Sequence, residues 1–332
     1  MVRRIDPRAL RPVPVEPAAA VVREGTGLPL VLRPAGDDVD LVEWAGAERE
    51  ALEAELLRHG GLLLRGFGVT EPAELERFAG LFVDELFADN GEHPRAQMGG
   101  GVYTPVFFPP EERLLWHNEN SFNRQAPAKI WFCCARPAAS GGETPLVDSR
   151  AVYDRLDAGL RDEFAAKGVC YVRNYGTGIG LDWPDVFRTG DRAQVEARCA
   201  AEGLRWQWRG DRLRTEAVRP AVVRHPGSGA RSWFNQAQHW HLACLNERTR
   251  ASLLATFPAD ELPRTCTFGD GSPIPDAAMA EILRVYQELE VVFPWQAGDV
   301  VMLDNFAVAH GRNPFTGPRS LLVAMGDMRT VD

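Results

Sequence analysis

The stretch L-L-W-H-N-E-N-S-F, residues 114–122, places His117 and Glu119 two positions apart. Residues i and i+2 of an extended segment project to the same side, so both side chains are expected to reach one ion. The segment reads as extended because it lies between a Gly- and Pro-rich stretch at 88–112 and the strand-like K-I-W-F-C-C-A at 129–135. Alone the pair says little, since at this acid content roughly one H-x-[DE] match arises by chance in a chain with seven histidines. A third donor, His310, stands far downstream in D-V-V-M-L-D-N-F-A-V-A-H-G-R. Two imidazoles and one carboxylate can occupy one face of a divalent iron and leave other positions open for substrate and O2.

The surroundings of these donors add weight. G-G-E-T-P, residues 141–145, carries Thr144. A-G-D-V-V-M-L-D-N ends shortly before His310, and Arg319 follows in F-T-G-P-R-S-L-L-V. With these in view the chain resembles the iron(II)/2-oxoglutarate-dependent dioxygenases of the taurine dioxygenase (TauD/TfdA) and clavaminate synthase-like branch. The resemblance implies a mainly β fold with helical decoration, a double-stranded β-helix of jelly-roll type. It implies Fe(II), 2-oxoglutarate and O2 as the reacting set, with His117, Glu119 and His310 as iron ligands. It implies that Arg319 holds the distal carboxylate of 2-oxoglutarate and that Thr144 donates a hydroxyl to it. A guanidinium fork suits that task through two parallel charge-assisted bonds, which lysine does not reproduce. Arg312 competes for the role but stands two residues after His310, and it reads as a supporting residue behind the site.

Glu119 departs from the Asp of taurine dioxygenase and matches clavaminate-like members. A carboxylate there argues against the halogenating relatives, which carry a small residue at that position. W-H-N-E together with F-C-C-A-R-P-A-A-S-G-G-E-T-P is most similar to the syringomycin-type aspartate hydroxylases. That implies hydroxylation of an unactivated C–H in an amino acid or derivative, free or tethered to a carrier protein, in specialised metabolism. Desaturation, epoxidation or cyclisation at the same site remain alternatives, as does a catalytically silent binding member of the fold. Asn120, Ser121 and Asn235 are candidate substrate contacts. His239 and His241, in H-W-H, share the i, i+2 spacing but lack a suitably placed acid, and they read as packing or pocket wall. His59, His93 and His225 are expected as partnerless surface or loop residues, and Trp116, Trp131 and Trp206 as core.

At 332 residues, 45% hydrophobic and 25% charged, the chain has the make-up of a soluble globular protein able to bury a large core. A net charge of −9 argues against nucleic-acid binding. One basic stretch, Arg205 to Arg231, holds seven arginines. It reads as solvated strand faces or, alternatively, as a docking surface for an acidic carrier protein. The six cysteines show no C-x-x-C spacing and are expected as buried free thiols, with Cys133 and Cys134 on opposite strand faces. No signal peptide or bilayer-spanning run is seen, and a reducing cytoplasm is the expected compartment.

Coarsely, residues 1–37 are expected to form an extended arm with short strands, and 38–332 one domain with a lid-like insertion around 149–290. Helices are predicted at 41–58, 70–87, 149–167, 191–202, 247–257 and 276–290. Strands are predicted at 62–67, 129–135, 168–175, 204–209, 219–225, 231–235, 291–295, 299–304 and 320–327.

Overall fold

In the computed structural model, residues 18–21, 27–34, 36, 39–87 and 97–331 are described. β1 (Ala18–Val21) pairs antiparallel with β2 (Leu30–Arg33). Leu30, Val31 and Leu32 are buried, so this end of the expected arm belongs to the main sheet. The single helix expected at 41–58 is two, α1 (Leu41–Ala47) and α2 (Arg49–His59), broken at Glu48. Asp40 caps α1 by accepting from the backbone N–H groups of Val42 and Glu43. Gly60, in the left-handed region at φ 78°, ends α2 before β3 (Gly61–Leu64). α3 (Pro72–Ala79) opens with a Glu71–Glu74 capping box and stops at Gly80, well short of Phe87. The Gly- and Pro-rich stretch that follows contains β4 (Gln97–Gly99) and β5 (Val102–Tyr103). His93 lies outside the described residues.

Next come β6 (Leu114–His117), β7 (Gln125–Arg136), β8 (Ser140–Gly141) and β9 (Leu146–Asp148). The 149–290 region folds as α4 (Ser149–Arg155), α5 (Ala158–Lys167), β10 (Val169–Asn174), α6 (Trp183–Phe187) and α7 (Arg192–Ala201). It continues through β11 (Arg205–Arg209), β12 (Arg212–Arg219), β13 (Val222–Arg224), β14 (Arg231–Trp233), α8 (Ala237–Trp240), α9 (Glu247–Thr256), β15 (Arg264–Phe268) and α10 (Asp276–Leu289). β16 (Val300–Asp304), β17 (Val308–Arg312), β18 (Phe315–Thr316) and β19 (Ser320–Thr330) complete the chain. The strand expected at 291–295 is reduced to one bridge, Val291 to Leu146, while Phe293 and Trp295 pack into the core.

The major sheet runs β1-β2-β3-β16-β7-β19-β5-β4. Facing it is a smaller sheet, β6-β17-β9, with the short β8–β18 ladder beside it. Apolar residues alternate along β7 and bury both of its faces. Trp131 and Cys133 pack with residues of α1, α2 and α3, while Ile130, Phe132 and Cys134 meet Leu146 and Val308 of the smaller sheet. This is the expected jelly-roll arrangement, and the site lies between the two sheets. A third sheet, β11-β12-β10-β15, carries its own core with α4, α5 and α10. No helix among the described residues is long and apolar enough to cross a membrane.

All six cysteines are free, and five are buried. Burial pushes the Cys133, Cys134 and Cys244 thiols up to about 12, and Cys199 up to about 11. The thiolate is the reactive form, so these groups are inert at neutral pH. Titration of the native protein with Ellman's reagent is therefore expected to release little thionitrobenzoate within minutes. After unfolding in guanidinium the full six equivalents should appear. Rapid labelling of the native state would contradict the packing around β7 and β15.

Candidate metal and cosubstrate site

His310 on β17 stands directly opposite His117 on β6 in the ladder register. Their rings approach to 4.4 Å between centroids. Gly311 follows His310 at a register shift, where an added Cβ would meet the Leu114 carbonyl at 2.7 Å. A side chain there would push β17 off β6 and separate the two histidines. Glu119 completes the set, with its Oε2 3.7 Å from His117 Nε2 and 3.8 Å from His310 Nε2. His117, Glu119 and His310 are the group of possible metal donors among the described residues, their ligand atoms all within 4.8 Å of one another.

Glu119 reaches this position by a route other than the expected strand alternation. β6 ends at His117, and Glu119 sits in a turn whose next residue, Asn120, has φ 57°. The side chain of Asn305 holds the turn. Its Oδ1 accepts from the Glu119 backbone N–H at 2.7 Å, and its Nδ2 donates to the carbonyls of Glu119 and Pro127. Asn118 in turn donates to the Asn305 carbonyl at 2.7 Å and to Ser149.

The other side of β6 is held by α8 and the residue before it. Gln236 donates to the Asn118 carbonyl and Gln238 to the Trp116 carbonyl. The Leu115 carbonyl lies 3.0 Å from His117 Nδ1 and 3.1 Å from His239 Nε2. A carbonyl only accepts, so both nitrogens carry hydrogen, and Nε2 is the His117 nitrogen left facing Glu119. Burial, with His117 nearby, pushes His239 down to about 3, so it stays neutral beside the donor set. His239 and His241 are packing residues, as expected; His241 bonds the Ile274 carbonyl.

A cavity of about 610 Å3 opens onto the three donors and extends to Thr144 and Arg319. Thr144 accepts from Trp295 Nε1 at 3.2 Å, which leaves its own hydroxyl hydrogen to donate. Arg319 donates through Nε to the Gly142 carbonyl. Among the described residues no carboxylate pairs with it. Burial first, then Arg312, pushes its guanidinium down to about 10. A desolvated cation of this kind is strongly stabilised by an anion in the cavity. Gly142, at φ 76°, leaves the room Arg319 needs, since a Cβ there would come within 3.0 Å of its side chain. Arg312 is engaged elsewhere. It donates to the carbonyls of Phe108, Pro109 and Glu112 and so fixes one wall of the cavity.

Several expectations are corrected. Asn235 is fully buried, donates to the Ala221 carbonyl and accepts from the Ala237 N–H; it shapes the turn into α8 and lies outside the cavity wall. Ser121 is fully buried and also outside that wall, and Asn120 lines a neighbouring cavity of about 370 Å3. His59 bonds the Gly27 carbonyl and Glu55. His225 is buried against Asp304 at 2.7 Å. Trp206 is 38% exposed, whereas Trp116 and Trp131 are core. All seven arginines between Arg205 and Arg231 have partners within the chain. Arg205 and Arg214 pair with Glu216, Arg209 with Asp260 and Arg212 with Glu261. Arg219 and Arg224 bond backbone carbonyls, and Arg231 bonds the Tyr153 hydroxyl.

With this geometry in hand, comparison with known proteins is decisive. The family model described as "Taurine catabolism dioxygenase TauD, TfdA family" matches residues 25–325. The chain belongs to the TauD/TfdA family. It is 36% identical over 274 residues to the dapdiamide synthesis protein DdaC of Enterobacter agglomerans, covering 82% of this chain and 83% of that one. It is 31% identical over 291 residues to a clavaminate synthase-like protein of Arabidopsis thaliana, covering 84% of each. Its fold matches the crystal structure of AAD-2 in complex with Mn(II) and N-oxalylglycine, with a TM-score of 0.55 at 16% identity over 95% of this chain and 99% of that one. It also matches the PvcB protein of Pseudomonas aeruginosa, with a TM-score of 0.52 at 16% identity over 89% and 84%. As a TauD/TfdA enzyme the protein is a 2-oxoglutarate-dependent dioxygenase that uses Fe(II), 2-oxoglutarate and O2.

The Asn305 amide is the residue on which this TauD/TfdA site turns, and D-N at 304–305 was its sequence signal. Asn305→Ala removes its bonds to the Glu119 N–H and to the carbonyls of Glu119 and Pro127. Thermal or denaturant unfolding should show a loss of about 1–3 kcal/mol. Fe(II) titration of the metal-free protein should show affinity weakened by about tenfold or more. Unchanged metal affinity would separate the turn from the donor set.

Proposed function

We propose that this dioxygenase hydroxylates an unactivated C–H of an amino acid or amino-acid derivative. His117, Glu119 and His310 would hold Fe(II), and Arg319 and Thr144 the distal carboxylate of 2-oxoglutarate. The observation that carries the assignment is the shared cavity, lined by three converging donors and by a half-buried arginine with no carboxylate partner among the described residues. The donor set fits the metal. Glu119 offsets one unit of a dication's charge, and the two neutral imidazoles leave the rest for the α-keto acid.

Bound Fe(II) supplies O2 activation coupled to oxidative decarboxylation of 2-oxoglutarate, giving succinate and CO2 with oxygen inserted into the substrate C–H. The residues of this chain bind, orient and keep water out. Arg319 and Thr144 fix the far end of the cosubstrate, while Ile130, Phe132, Leu321 and Val323 line its apolar path. Glu119 occupies the position that a small residue would leave open, which supports oxygen transfer over halogenation. The amino-acid class draws on the relationship to DdaC, whose name ties that protein to dapdiamide synthesis. The intramolecular ion pairs of Arg205, Arg209, Arg212 and Arg214 give little support to docking of an acidic carrier there.

Anaerobic addition of Fe(II) and 2-oxoglutarate should produce a visible metal-to-ligand charge-transfer band that His310→Ala abolishes. Arg319→Lys keeps the charge but loses the fork, and should weaken 2-oxoglutarate binding roughly 10- to 100-fold. A panel of free and carrier-bound amino acids, followed by product mass, should then show one added oxygen. Absence of both the band and succinate would sink the assignment.

A further inference from the structure

The cavity of about 370 Å3 lies beside the turn that carries Glu119, with Asn120 in its wall. It shares no lining residue with the cavity of the donor triad. One face of the third sheet forms its floor. Alternation along β12 turns Thr215, Ala217 and Arg219 to the same side, and Tyr171 of β10 is the ladder partner of Ala217. Ala217, the smallest of the four, leaves room between Thr215 and Arg219.

The charge here is of one sign. Arg219 is 8% exposed and donates to the carbonyls of Val218 at 3.1 Å and Glu202 at 2.8 Å. Arg124 donates to the adjacent Ala201 carbonyl at 2.7 Å, and Arg198, in the last turn of α7, donates to the Phe187 carbonyl. These three guanidinium groups bond backbone carbonyls, and among the described residues none of them is in an ion pair. The C-terminus of α7, where Ala201 and Glu202 lie, supplies roughly half a negative charge, less than the cations gathered around it. Glu202 is the one acid in the wall among the described residues, and it is exposed. It offsets only part of the burial that pushes the Arg219 guanidinium down.

Donors remain for a ligand. A guanidinium carries five N–H bonds, of which Arg219 gives one to each of two carbonyls, and its Nε is without a partner. The Tyr171 hydroxyl accepts from the Gln236 N–H at 2.9 Å, which leaves its own hydrogen to donate. Thr215 is buried, and its hydroxyl has no hydrogen-bond partner among the described residues. A desolvated cation flanked by two hydroxyl donors suits an oxyanion. Phe122 and Phe187, also in the wall, offer aromatic surface to the body of such a molecule.

We propose that this cavity binds the carboxylate of a small aromatic acid, with Arg219 as its counter-ion and Tyr171 and Thr215 as supporting donors. The site is separate from the one proposed for 2-oxoglutarate and goes beyond the function proposed above. A molecule held in it rests against Asn120, the residue next to Glu119.

Calorimetry with simple probes tests this. The protein is loaded anaerobically with Fe(II) and saturating 2-oxoglutarate, then titrated with 3-phenylpropanoate or 3-phenylpropanamide. The acid is expected to bind at least tenfold tighter than the amide. Arg219→Gln should erase that preference, and Arg219→Lys should keep part of it. Thr215→Val preserves shape and should weaken the acid about threefold or more while leaving the amide less affected. Equal binding of acid and amide, no binding of the acid, or a preference that survives Arg219→Gln overturns the proposal. Where Arg219→Gln fails to fold, Thr215→Val decides, and acid binding as tight as in the parent protein overturns it.

Discussion

Strand β16 is fixed at both ends, and the placement of Glu119 depends on that. At its start, the buried Arg65 guanidinium grips Asp299 through Nε at 3.0 Å and Nη2 at 2.7 Å, and also donates to the Pro294 carbonyl. At its end, Asn305 ties together Glu119, Asn118 and Pro127. Between these points β16 pairs with β3 on one side and β7 on the other. Removing one partner of a buried ion pair costs about 3–5 kcal/mol, because the remaining charge stays desolvated. A slip at Asp299 would travel along a strand with no slack and move Asn305 away from the turn it holds. The distance between Glu119 and the histidines is thus set partly by a charge pair at the opposite end of the sheet.

How much of this was legible in the sequence follows from the range of each interaction. Local periodicity showed that β7 is buried on both faces, and Cys133 and Cys134 fall on opposite sides as alternation requires. The donors and Arg319 were legible as residue types in recognisable company. The reason Glu119 points inward was not. Alternation along an extended segment was the natural expectation, yet the strand ends at His117, and the controlling bond joins residues 186 positions apart. His225 was misjudged for the same reason, since its partner Asp304 lies across the fold, whereas Asn235 bonds Ala221 across the adjacent β13–β14 hairpin. The arginines of 205–231 looked like a basic stripe because their acids, Asp260 and Glu261, are distant in sequence and adjacent only after β12 and β15 flank β10.

The two arginines near the C-terminal strands show how neighbours divide roles among identical side chains. Arg312 and Arg319 line one cavity; burial disfavours the charged form of both, and for Arg319 the nearby Arg312 adds to that. Arg312 resolves this by donating to three loop carbonyls, which need no compensating charge. Arg319 has one carbonyl partner through Nε, so the outer edge of its fork faces the cavity without a carboxylate. The difference lies in backbone supply. The loop around Phe108 and Pro109 brings carbonyls to Arg312, while Gly142 presents a single one to Arg319.

The donor triad is held by the protein's own amides and carbonyls. His117 is oriented through Leu115, and Glu119 through Asn305. His310 is placed by ladder register against His117. Glu119 Oε2 stands 3.7 Å from His117 Nε2 and 3.8 Å from His310 Nε2, so a dication between them would be met by all three donors, and the rigid surroundings mean that little ordering entropy is lost when it binds. The same logic extends outward. Arg319, with one carbonyl partner through Nε, leaves its fork open to a carboxylate in the same cavity. The fold therefore leaves open donors where ligands can meet them, and satisfies Arg65, Asp299 and Asn305, which must hold still, with partners of its own.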